Sequence, residues 1–305
     1  VAMTPIPDDR SSFGTFTWLA ENASRDIRVK MDELVASDPA EGTVERRIVD
    51  AFEAYLDTAA IEEAGLAPAY PYLTQIFTAP DLEALVTLFE EPGYPAMIGA
   101  SVGVDALDPR QYLVNIGFNG MGLPDRDYYL VDSERNIEIR EAYLGYLAIM
   151  LDEAGYADPT GAAAAVYDFE RKVAALEWDR QFLRNPSLTT NQMSRAELLA
   201  IAPEFPLQAL LDAGGFGDQD LFDIGQMPPT AEEIEAMGLT AEQLALIGGG
   251  FPAMMELLID TPLPNLKAYM AVHFLRAHAP VLPRRIDDAG FAFYGKVLNG
   301  QSEQS

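Results

Sequence analysis

The chain has no cysteine, which excludes disulfides, thiolate metal sites and a cysteine nucleophile. Basic residues are scarce: 20 Lys and Arg stand against 48 Asp and Glu, for a formal charge of −28. Nucleic acid demands a basic face for its phosphates, so nucleic-acid binding is excluded, and adsorption to anionic membranes is equally disfavoured. The acidic surface reads as a solubility device, with cation binding as the alternative. No run of about eighteen apolar residues occurs, so no segment is expected to span a membrane. Val1-Ala2-Met3-Thr4-Pro5 has neither the basic start nor the apolar stretch of a signal peptide, which is expected to be already absent. Only two histidines are present, His273 and His278, five apart in a predicted helix from Leu266 to Ala279. That spacing turns the rings roughly 140° apart, whereas a helical zinc pair needs a spacing of four. Both read as packing or surface residues, and no zinc is expected to be bound by this chain. A Gly-x-Ser-x-Gly elbow is also missing, and Gly248-Gly249-Gly250 lacks the lysine and serine of a phosphate loop. The triple glycine reads instead as the end of a helix.

What is present describes a helical protein. At 305 residues and 49% apolar composition, the chain can bury a sizeable core. From Gly42 to Ala60, Val44, Ile48, Phe52, Tyr55 and Leu56 recur at helical spacing. Asp158-Pro159 combines a capping carboxylate with proline at the first helical position, ahead of a face formed by Val166, Phe169, Val173 and Leu176. Three capping boxes, Ser194 with Glu197, Thr230 with Glu233 and Thr240 with Gln243, open further helices. Gly155 and Gly248 are candidate stops, and the helix before Gly155 is expected to bury Ile139, Tyr143, Tyr146, Leu147 and Met150. One region departs from this pattern. Tyr112, Val114, Ile116 and Phe118 alternate at period two, and Met97 to Val104 precedes them, which predicts a small β-hairpin near 97–118. No repeat, low-complexity tract or linker stands out, so residues 1–305 read as one largely helical unit.

The stretch Gly120-Met121-Gly122-Leu123-Pro124-Asp125-Arg126-Asp127-Tyr128-Tyr129-Leu130 is the most distinctive. Its glycines permit tight turns, Arg126 sits between two acids, and each tyrosine adds apolar area with a hydroxyl. A structural latch and a contact with a partner or substrate are both open readings.

That stretch, together with Phe291-Ala292-Phe293-Tyr294-Gly295-Lys296-Val297-Leu298-Asn299-Gly300, resembles segments of the neprilysin-type (M13) zinc metallopeptidases. Ile6-Pro7-Asp8-Asp9-Arg10-Ser11-Ser12-Phe13-Gly14-Thr15-Phe16, Ala175-Leu176-Glu177, Arg184-Asn185 and Asn191-Gln192-Met193 follow in the family's order. The resemblance implies a mainly α fold, the multi-helix lobe that caps the peptide chamber in that family. It implies that zinc is bound by a His-Glu-x-x-His helix in a C-terminal catalytic half, which this chain does not contain. The expected function is the non-catalytic N-terminal half of a two-chain zinc endopeptidase acting on short peptides. The chain alone is then inactive and pairs with the catalytic half as a heterodimer. The alternative is a non-catalytic helical module that binds peptides or proteins. Family habit suggests a periplasmic or secreted location. The resemblance assigns Phe16 to a wall of the substrate pocket, with ordinary core as its other reading. Where animal members carry pocket arginines this chain has Ser12 and Ala20, and Arg10 is the nearby candidate substitute. A two-chain enzyme also predicts a large apolar patch on this chain for its partner to cover.

Overall fold

The computed structural model describes residues 13–302, and helices dominate it. The chain divides into two compact units: one comprises the chain up to Tyr70 and the stretch from His278 onward, the other Pro71–Ala277. The boundaries fall at helix ends, where no change of composition marks them.

The first unit begins with α1 (Thr15–Ala36), α2 (Val44–Leu56) and α3 (Thr58–Ala64). Thr43 caps α2 by accepting from the Arg46 N–H, and Asp57 caps α3 by accepting from the Ala60 N–H. The helix expected over Gly42–Ala60 is thus two helices, because Asp57 leaves helical geometry to cap the second. The apolar spacing on α2 is as the sequence indicates, but its face is not buried. Val44, Ile48, Tyr55 and Leu56 are exposed, and only Val49 is buried. Further along, Phe291–Leu298 winds as a wide π-type helix. A side chain at Gly295 there would collide with the Phe291 ring, so glycine is required by space.

The second unit contains α4 (Tyr70–Thr78, from its second residue), α5 (Leu82–Thr87), the strands β1 (Ile98–Val104) and β2 (Tyr112–Phe118), then α6 (Asp127–Leu130), α7 (Glu134–Glu153) and α8 (Pro159–Leu176). The predicted hairpin is there, with Ile98 opposite Phe118 and Val104 opposite Tyr112. It belongs to a four-stranded sheet ordered β1-β2-β4-β3, completed by β3 (Gln192–Ser194) and β4 (Leu221–Ile224). Those two short strands carry too few residues to show a period in sequence. Helix α7 buries Ile139, Tyr143, Tyr146, Leu147 and Met150, as expected, and Gly155 follows it at φ +86° in the left-handed region that favours glycine. Asp158 caps α8 with Pro159 at its first turn. All three capping boxes form.

The triple glycine is a correction to the sequence reading. It opens the helix Gly250–Asp260 instead of closing one. A side chain at Gly248 would collide with the Leu176 carbonyl, and one at Gly250 with the Gln226 carbonyl. Trp178 packs into this bend, its indole N–H donating to the Gly248 carbonyl at 3.1 Å. With Phe182 and Leu188 it forms a small core of its own. The helix carrying both histidines spans Leu263–His278.

Candidate functional site

Glu170 on α8 is fully buried, and three donors converge on its two oxygens. The Tyr129 hydroxyl donates to Oε2 at 2.7 Å, the Tyr143 hydroxyl donates to Oε1 at 2.9 Å, and His273 Nε2 lies 2.8 Å from Oε1. A buried carboxylate is costly unless its lone pairs are filled, and this one is surrounded. The Tyr129 hydroxyl is itself saturated, accepting the Gly122 and Leu123 backbone N–H groups at 3.0 and 2.8 Å. Gly122 must be glycine for want of space: an added Cβ would fall on the Tyr143 hydroxyl oxygen and lie 2.8 Å from its Cζ.

The rest of the Gly120–Leu130 stretch is fastened with similar economy. Arg126 donates to the carbonyls of Glu177 and Leu246 at 2.7 and 3.1 Å. Asp125 accepts the Asp127 N–H and pairs with Arg180 at 3.1 Å. Arg140 donates to the Tyr129 carbonyl at 2.9 Å and pairs with Asp132. Burial pushes the Glu177 carboxyl up, and neighbouring Asp125 adds to this while Arg126 opposes it. Burial likewise pushes the Tyr146 hydroxyl well above the ordinary tyrosine range, with Arg276 opposing. The structural latch is therefore the reading that the geometry favours for this stretch. His273 is a core histidine committed to Glu170, and His278 is half-buried one helical turn further on. Among the described residues no three His, Asp or Glu side chains are placed to hold a metal ion.

Glu170 is the residue that sequence reasoning missed. It shares a face with Val166, Phe169 and Val173, and an acid on an apolar stripe is a legible sign of a buried hydrogen-bonded carboxylate.

Of the substrate-pocket candidates, Arg10 and Ser12 lie outside the described residues. Phe16 sits in the first turn of α1 and is 88% exposed. It is one of several uncovered apolar side chains in the first unit. Phe16, Leu19 and Ile27 line one side of α1, and Trp18 and Val29 lie on the opposite side. No residue of α1 is buried. A groove of about 590 Å³ in the same unit is bordered by Tyr55, Leu56, Ile61, Leu282 and Arg284.

Known structures share this fold. Zinc metalloprotease Zmp1 of Mycobacterium tuberculosis, solved with an inhibitor, matches with a TM-score of 0.84 and 25% identity over 100% of this chain and 44% of that one. PepO from Lactobacillus rhamnosis matches with a TM-score of 0.68 over 100% of this chain and 45% of that one, and at 19% identity shows the fold alone. Endothelin-converting enzyme 1 of Cavia porcellus is 24% identical over 217 residues, 67% of this chain and 28% of that protein. Neprilysin-3 of Drosophila melanogaster is 23% identical over 214 residues, 65% of this chain and 27% of that protein. The chain belongs to peptidase family M13, whose N-terminal family model matches residues 1–305. It spans less than half the length of these relatives.

Proposed function

We propose that this chain is the non-catalytic N-terminal half of an M13-type zinc endopeptidase that acts on short peptides. It caps and partly lines the chamber, while a C-terminal catalytic half, as a separate polypeptide, supplies the His-Glu-x-x-His zinc site. The observation that carries this reading is the uncovered apolar surface of the first unit. Helix α1 has exposed apolar residues on two opposite sides and α2 carries more, Phe16, Trp18, Val44 and Ile48 among them. A helix apolar on opposite faces is one built to be buried. Covering such side chains is worth about 25 cal/mol per Å² of apolar area removed from water, which favours association with a second half.

On this reading the chain alone is inactive, because the zinc that polarises the peptide carbonyl and the glutamate that activates water both belong to the partner. On the same reading Phe16, Arg10 and Ser12 contribute to binding the peptide. A walled chamber excludes folded proteins and surrounds a peptide with fixed dipoles. The assembled enzyme works in the periplasm or outside the cell.

Reconstitution tests this. Mixing the chain with a separately produced M13 catalytic half should give zinc-dependent cleavage of a fluorogenic short peptide that neither half shows alone. Trp18 is half exposed while Trp178 is buried, so acrylamide quenching should fall on mixing. A chain that stays monodisperse at high concentration, and neither binds the catalytic half nor restores cleavage, refutes the reading. Peptide binding without any rescue of cleavage would make it a binding module instead.

A further inference from the structure

The sheet of the second unit ends on β1. In the hairpin the Asp105 N–H donates to the Gln111 carbonyl and the Asn119 N–H to the Met97 carbonyl. Odd-numbered residues of β1 therefore face β2, and Ala100, Val102 and Val104 turn their N–H and C=O groups outward. At Ala100 the outward N–H is taken by Glu90 Oε1 at 2.9 Å. Among the described residues no such cap stands over Val102 or Val104. Natural edges are blunted by charges, prolines or bulges, and Ile98–Val104 has no charged residue and no proline. Its side chains add an apolar ledge. Val102 and Val104 are exposed on one face, with Tyr112 opposite Val104 and Leu107 in the turn.

We propose that the open edge of β1 captures an extended cationic peptide by strand addition. The inference rests on the reading of this chain as part of a peptide-handling enzyme and names the peptide class. Main-chain hydrogen bonds to Val102 and Val104 hold the peptide, and alternate apolar side chains lie along the ledge of Val102, Val104 and Tyr112. Charge selects the occupant. From residue 90 to 118 the acids are Glu90, Glu91, Asp105 and Asp108, and the one base, Arg110, is bound to Asp108. Lysine or arginine at the intervening positions of the peptide complements that field.

The test uses the whole chain and a fluorescein-labelled Lys-Val-Lys-Val-Lys-Val peptide in an anisotropy titration at low salt. Saturable binding is expected, weakened by raising the salt. In Val102→Pro the lost N–H points away from β2, so the hairpin ladder is left intact while strand addition is blocked. Binding should weaken at least about tenfold, with an unchanged circular dichroism spectrum. Val104→Lys, placing a charge on the edge, should weaken it similarly and covers the case in which the proline variant unfolds. Equal affinity of wild type and both folded variants overturns the proposal, as does an absence of binding. Wild-type self-association abolished by Val102→Pro, with no peptide bound, would assign the edge to a second copy and also overturn it. Because the titration needs no catalytic half, its failure is distinguishable from failed reconstitution.

Discussion

Replacing Gly122 by alanine sets one methyl group against the most tightly bonded point of the protein. The new Cβ would collide with the Tyr143 hydroxyl oxygen and approach Glu170 Oε1 to 3.1 Å. Tyr143 has no room to yield: its ring is fully buried, and its hydroxyl donates to Glu170. Nor can Gly122 retreat freely, because its N–H donates to the Tyr129 hydroxyl and its carbonyl accepts from Arg276 at 3.3 Å. Overpacking of this kind costs about 1–3 kcal/mol. Displacing the Tyr143 hydroxyl from a buried carboxylate adds roughly 1.5–3 kcal/mol. Together these predict a loss of about 2.5–6 kcal/mol. At about 2–4 °C per kcal/mol for a unit of this size, the melting temperature should fall by roughly 5–24 °C. Differential scanning calorimetry and urea titration monitored by circular dichroism both read this. A second variant checks the cause. In Gly122→Ala/Tyr143→Phe the colliding oxygen is gone, so the double variant should be more stable than Gly122→Ala alone, a coupling of opposite sign to simple addition. A Gly122→Ala protein melting within about 2 °C of wild type, or a double variant as unstable as the sum of the singles, would refute the reasoning.

Other outcomes follow from the same geometry. Arg126→Met should destabilise the chain by about 1–3 kcal/mol in urea titrations, because the carbonyls of Glu177 and Leu246 lose their donor. Glu177→Gln should raise the melting temperature at neutral pH. Burial and Asp125 raise the folded carboxyl above its ordinary value of 4.5, so its contribution is fully present below that pH and is lost as pH rises through the folded value. The advantage of the glutamine variant should therefore disappear below about pH 4.5, and melting curves across pH 4–8 read it. In the reconstituted peptidase Phe16→Ala should raise KM for short peptides with a smaller change in kcat, since an exposed aromatic contributes binding area rather than chemistry. Equal KM values for the two proteins would remove Phe16 from the pocket.

Much of the local structure was legible because its causes are local. The three capping boxes, the Asp158-Pro159 start and the Gly155 stop each join residues within one helical turn. The period-two run from Tyr112 to Phe118 named its own strand, and the ordered motifs from Ile6 to Gly300 identified the family. What the spacing could not settle was where each apolar face goes. Helices α2 and α8 carry similar stripes, yet Val166 and Phe169 are buried while Val44 and Ile48 stand in solvent. The amphipathic pattern records that a surface is meant to be covered; the partner element that covers it is a tertiary fact. The same holds for the triple glycine, which reads as a helix stop until the carbonyls of Leu176 and Gln226 are seen to crowd it into a helix start.

By itself the sequence determined the helical class, the hairpin, the caps and the family, since each rests on interactions between near neighbours or on ordered motifs. The Glu170 hub was decided only by the tertiary structure. Its donors stand 27, 41 and 103 residues away in the chain, and only packing of α6, α7 and the helix Leu263–His278 against α8 brings Tyr143, Tyr129 and His273 onto one carboxylate. A buried polar group persists on condition that distant partners arrive together, and no local pattern encodes that arrival.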